Sequence, residues 1–126
     1  MKPEHGTLRD NLANYRHIAA CIDYYLLRIE FFSRFTNSTP ALSHMVREQI
    51  LDYQNRIADL KTLKEGIEQI IKNAPLPYRG TLYHRYIEGM TLSEIARKLH
   101  YSQSSVKRHI DRGIEIIEAG DIHAKT

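Results

Sequence analysis

Apolar residues recur through positions 8–33 at alternating spacings of four and three: Leu8, Leu12, Tyr15, Ala19, Ile22, Leu26 and Ile29. This is the period of one helical face in a bundle or coiled coil. Ile18, Tyr25 and Phe32 run beside it at intervals of seven. The wider face predicts burial against more than one neighbour. Thr36-Asn37-Ser38-Thr39-Pro40 interrupts the pattern. Proline suits the first turn of a new helix, with Thr39 as its cap and Ser43 as an alternative. A second period follows: Val46, Ile50, Tyr53, Ile57, Leu60, Lys64, Ile67 and Ile71, with Lys64 the one polar member. Leu63 and Ile70 widen it, and Gly66 sits mid-helix at a cost of about 1 kcal/mol relative to Ala.

Two long helical periods joined by a short polar loop predict an antiparallel hairpin. A lone hairpin buries little surface, so its extra apolar stripes call for a second copy of the chain or for the C-terminal part. Self-association through these helices is the expectation. Asn73-Ala74-Pro75-Leu76-Pro77 ends the second helix, because two prolines in three residues cannot continue it. The predicted division is therefore 1–73 as an oligomerising hairpin and 74–126 as a separate domain. Pro77 opens a further helix holding Leu82, Tyr83, Tyr86 and Ile87 and ending near Gly89.

The stretch from Met90 to Gly113 carries two shorter patterns. Thr91-Leu92-Ser93-Glu94 fits a capping box, so a helix begins at Leu92. Its apolar positions Leu92, Ile95, Ala96 and Leu99 share one face and end after two turns. Ser102 caps the next helix. There Val106, Ile110, Gly113 and Ile117 fall within about 60° of one another on the helical wheel. Ser104, Arg108, Asp111 and Glu115 lie opposite, flanked by Lys107 and Arg112. Two short helices about a tight turn, the second with a polar and basic outer face, make a helix-turn-helix. The predicted fold is all-α: a long antiparallel N-terminal hairpin followed by a C-terminal helix-turn-helix domain.

That outer face matches the chemistry of a DNA major groove, which admits one helix. Gln103, Ser104, Lys107 and Arg108 form the expected base-contacting set, Gln pairing with adenine and the cations with guanine. Thr91, Ser93, Lys98, Ser105 and Arg112 form the expected phosphate-contacting set.

The segment Leu76 to Ile117 resembles region four of bacterial sigma factors, the module that reads the −35 promoter element. Leu76-Pro77, Tyr86, Glu88-Gly89, Glu94-Ile95-Ala96, Leu99, Ser102, Val106-Lys107 and Arg112 carry the likeness. A helical N-terminal half before such a module is similar to small phage-encoded transcription regulators of the ArpU and RinA type. The resemblance implies sequence-specific binding of double-stranded DNA, control of transcription, contact with RNA polymerase and a phage or prophage origin. One departure is His100, which stands where such turns carry Gly because the backbone there takes positive φ. The sigma region that melts and reads the −10 element has no counterpart, so a complete sigma factor is not expected.

Charge placement supports the same reading. The formal net charge is only +3, yet Arg97 to Arg112 holds five basic residues and one acid, a local +4. That concentration suits phosphate contact. The single cysteine, Cys21, reads as a small core residue, and a cytoplasmic setting follows from the lack of a signal peptide. Asp23 and Arg28 interrupt the most apolar segment, so no membrane contact is expected. Seven histidines are scattered without helical pairing, and no phosphate loop or activated nucleophile stands out. Neither a metal, a cofactor nor an enzymatic activity is expected. Two other classes share the pattern: a DNA-packaging subunit resembling the small terminase, and an interaction protein whose helices dock a partner.

Overall fold

A computed structural model of the chain describes residues 7–124, with side chains to 120. It is all-α among the described residues. The elements are α1 (Leu8–Ala13), α2 (Tyr15–Ser33), α3 (Pro40–Lys72), α4 (Tyr78–Leu82), a π-helical turn (Tyr83–Ile87), α5 (Leu92–Leu99) and α6 (Gln103–Ala124). Backbone contacts gather them into two compact units. One is His17–Glu65, and the other combines 7–16 with 66–124.

The first unit is a helical hairpin. Its two arms run antiparallel: Ser43 lies against Thr36, Tyr53 against Arg28, and Arg56 over the ring of Tyr25. Ile18 and Ile22 from α2 and Val46 and Ile57 from α3 are buried, as the periodicity predicts. Tyr53 fills the space between turns of α2, its ring 5.4 Å from Tyr25 and 6.1 Å from Phe32. Arg28 donates to the Tyr53 hydroxyl at 3.3 Å while its guanidinium lies 5.0 Å from the centroid of Phe32. A cation so placed is attracted by the negative face of the ring.

The turn explains which of the two candidate caps is used. Thr39 accepts from the Leu42 N–H at 3.4 Å and caps α3. Ser43 lies inside the helix, buried, with its hydroxyl 2.8 Å from the Thr36 carbonyl and 3.2 Å from that of Ser38. It satisfies the turn's backbone instead of opening the helix. Leu26 is half-exposed although it belongs to the seven-residue seam. The buried face is rotated toward Ile18, Tyr25 and Phe32, where Tyr53 packs.

The second unit takes in more than 74–126. The period that starts at Leu8 is broken at Asn14, where the backbone leaves the helix with ψ −4°. The Asn14 N–H is shared between the carbonyls of Asp10 and Asn11. Asparagine is a weak helix former, so a break falls there at little cost. The resulting six-residue α1 is held by its own capping box, Thr7 with Asp10. Leu12 is fully buried and Tyr15 nearly so, and the Tyr15 hydroxyl donates to the carboxylate of Glu68. Ile67, Ile71 and Ala74 complete this side of the core.

The proline boundary behaves as expected. The carbonyl of Pro75 accepts from Tyr78 and Arg79, and the Leu76–Pro77 bond is cis. The helix expected to run to Gly89 starts as α4 and widens into the π turn. There the Glu88 N–H reaches back five residues to the Tyr83 carbonyl at 3.1 Å. Gly89 then takes φ +73°. Arg16 donates to the carbonyls of Ile87 and Glu88, and Arg85 to that of Met90. These bonds satisfy backbone acceptors at the helix end and hold the approach to α5.

Candidate nucleic-acid interface

The helix-turn-helix is built from local signals that the structure realises in full. Thr91 accepts from the Glu94 N–H at 3.1 Å, and the Glu94 carboxylate accepts from the Thr91 N–H at 2.8 Å. These bonds hold the Glu94 carboxyl below its usual range. The Thr91 backbone bond is the largest cause and the Thr91 hydroxyl the next. A depressed folded pKa means that the box stabilises fully above the unfolded Glu value, about 4.3. That contribution is lost as pH falls through the folded value. Thr91→Ala is therefore expected to cost about 1 kcal/mol at neutral pH. The cost should shrink in acid melts below about pH 4, and an unchanged cost there would exclude the carboxylate's part.

At the other end of α5, His100 adopts the left-handed conformation, φ +61° and ψ +41°. Its N–H and that of Tyr101 both reach the Ala96 carbonyl, the latter at 2.9 Å. This is a Schellman-type end with histidine where glycine fits best. His100→Gly is expected to raise stability by about 0.5–1 kcal/mol, the steric gain exceeding the added chain entropy. A lower denaturation midpoint for that variant would show that the imidazole has a compensating contact.

Ser102 then caps α6, accepting from the Ser105 N–H at 3.1 Å. Ile95, Ala96, Val106, Ile110, Gly113 and Ile114 are buried between α4, α5 and α6 or beside them. Gly113 allows the close approach of α4: a methyl group there would lie 3.0 Å from Tyr78 Cβ and 3.2 Å from Leu82 Cδ1. His109 sits on the remaining side of α6 with Tyr101 and Tyr78 edge-on to it, at 5.0 and 5.6 Å between centroids. These three rings tie the turn, α4 and α6 together.

With its inner face fixed in this way, α6 presents the residues singled out from the sequence. Gln103, Ser104, Lys107 and Arg108 are all exposed on its first two turns. Arg108 donates to Ser105 Oγ at 3.2 Å and Lys107 to Asp111 at 3.3 Å. Thr91, Ser93, Lys98 and Arg112 are exposed as well, Arg112 donating to Glu115 at 3.2 Å. Ser105 is half-buried, its hydroxyl engaged with Ser102 and Arg108. The Thr91 oxygen is committed to its cap. The Ser104 hydroxyl also has a protein partner, Ser102 Oγ at 3.3 Å; apart from half-buried Ser105, all these side chains are exposed.

Residues 79–117 match the Sigma-70, region 4 family. The match covers about a third of the chain, and this segment is similar to the helix-turn-helix DNA-binding domain of sigma region 4. It spans α4, the π turn, α5 and the part of α6 that carries the exposed polar face. Neither the curated proteins nor the solved structures give a match to the chain.

Three features of the region 4 surroundings escape the sequence pattern. Ile114 is buried at a position one step outside the expected stripe of α6. It faces α1, which packs on α6 beside Thr7 and Arg9. Asp111, on the outer face, is not merely solvated: it accepts from two cations, Arg9 at 2.9 Å and Lys107. Burial pushes the Asp111 carboxyl up, but the bonds from Arg9 and Lys107 outweigh it and hold it below its ordinary value. No residue near the turn hints at Arg9, because the two partners stand 102 positions apart. Among the described residues, no group of three His, Cys, Asp or Glu side chains is placed to hold a metal ion. No described helix is long and apolar enough to cross a membrane.

Proposed function

We propose that the chain is a sequence-specific transcription regulator that binds double-stranded DNA through α6 and self-associates through its hairpin. The observation that carries this reading is the exposure of Gln103, Ser104, Lys107 and Arg108 on one open face of a helix whose opposite face is locked into a core. Amide, hydroxyl and cationic groups are the types that read base edges in the major groove. Ser93, Lys98 and Arg112 flank them and hold phosphates, with Thr91 fixing the start of α5 and Ser105 supporting Arg108. The protein acts by binding and not by catalysis, in the cytoplasm of a bacterial host, with the region 4-like surface touching RNA polymerase. A phage or prophage origin accords with the pairing of a small helical half with this module.

Self-association rests on the hairpin's outer surface. Leu27 and Met45 are about two-thirds exposed, and Tyr24, Leu26 and Leu51 are half-exposed. Apolar surface of this kind on a helical hairpin is relieved by burial against another copy. The same feature serves a packaging subunit, in which the helices build a ring.

Selection of bound sequences from a random duplex pool, with the particle mass measured in the same buffer, tests the proposal. A dimer is expected, with an enriched motif of two half-sites about 10 base pairs apart or a multiple of it. A ring of eight or more copies would favour packaging instead. Failure to retain any duplex at moderate salt, where phosphate contacts still operate, would overturn the DNA reading.

A further inference from the structure

We infer that Arg9, which lies outside the region 4 segment, is a positioning residue of the DNA-binding surface: it neutralises Asp111 and thereby releases Lys107 for nucleic acid. This rests on the DNA reading above. The geometry is specific. Asp111 sits one helical turn beyond Lys107 on the outer face of α6, beside Arg108 and Arg112. Its two carboxylate oxygens accept from different partners, Oδ1 from Arg9 at 2.9 Å and Oδ2 from Lys107 at 3.3 Å. A carboxylate in that position repels an approaching phosphate and also detains the lysine next to it.

Arg9 relieves both effects. It is carried by α1, whose Leu12 is fully buried and whose start is fixed by the Thr7–Asp10 box. The guanidinium is therefore delivered by a docked helix rather than by a loose arm. When Lys107 leaves for a base edge or phosphate, Asp111 keeps a charge-assisted bond and is not left bare. The ion pair is half-exposed, 49% for Arg9 and 41% for Asp111. A pair so exposed contributes little to folding. Its main consequence is electrostatic, at the face that meets DNA.

A double-mutant cycle on the full chain tests this. Binding to a fluorescent random-sequence duplex of about 30 base pairs is measured by anisotropy at about 0.1 M salt. Arg9→Ala is expected to weaken binding about fivefold in the wild-type background, from the uncompensated carboxylate. Arg9→Ala in an Asp111→Asn background is expected to change it by less than about twofold. Arg9→Lys keeps the charge and is expected to bind within about twofold of wild type. The melting midpoint of Arg9→Ala should stay within about 3 °C of wild type, as befits an exposed pair.

Equal losses in the two backgrounds would mean that Arg9 touches DNA itself and would overturn the proposed route through Asp111. No loss in the wild-type background would remove Arg9 from the surface altogether. A loss for Arg9→Lys as large as for Arg9→Ala would mark a packing effect and would also overturn it. These outcomes presuppose a wild-type protein that retains the duplex. If it does not, the DNA reading fails first and the inference falls with it.

Discussion

Leu82→Ala is expected to lower the stability of the C-terminal unit by about 2–5 kcal/mol, a large share of a small domain's total. Leu82 has no exposed surface and stands at the end of α4, against α6. Its Cδ1 lies where Gly113 leaves room for it, so the two positions form one fitted contact. Removing three carbons leaves a cavity that this backbone-close packing cannot easily collapse. The loss is expected to reach DNA binding as well, because α4 braces the face of α6 opposite the side chains proposed to read DNA. Urea unfolding with an unchanged m-value would report it. A loss below about 1 kcal/mol would mean that the α4–α6 contact relaxes freely and is not the brace described.

Arg108→Ala is expected to weaken binding to the selected duplex by about 1–3 kcal/mol and to relax the preference at one base pair. The side chain projects from the second turn of α6 and, among the described residues, donates to the Ser105 hydroxyl. Exchanging that weak, exposed bond for a bidentate contact to guanine is favourable. Lys98→Ala provides the contrast. A lost phosphate contact weakens all duplexes alike and lowers the salt slope by about 1. If Arg108→Ala also weakened selected and random duplexes equally, base recognition would have to be assigned to other residues.

The parts of the fold that were legible beforehand are those set by neighbours in the chain. The Thr91–Glu94 box, the two-turn α5, the Ser102 cap and the left-handed residue at His100 each involve groups a few positions apart. Local hydrogen-bonding geometry decides them, so residue type and spacing suffice. The apolar stripe of α3 was legible for a related reason. Val46, Ile57, Ile67 and Ile71 keep one helical period over many turns, and that period marks a face whatever covers it.

The covering itself was not legible. Leu26 fits the period as well as Ile22 does, yet lies half-exposed, because Tyr53 packs on the adjacent stripe. Asn14 breaks the first helix, and its propensity alone does not fix that point. Residues 7–16 belong by contact with the C-terminal unit, although the proline pair at 75 and 77 marks an evident boundary in the chain.

The chain's own order of residues determined an all-α protein, its turns and caps, and the side chains offered by α6. Those depend on interactions within a turn or two. Tertiary structure alone decided that α1 docks on α6, that Ile114 is thereby buried and that Arg9 meets Asp111. Such pairings link positions about a hundred residues apart, and they are selected by shape and charge only after both helices exist.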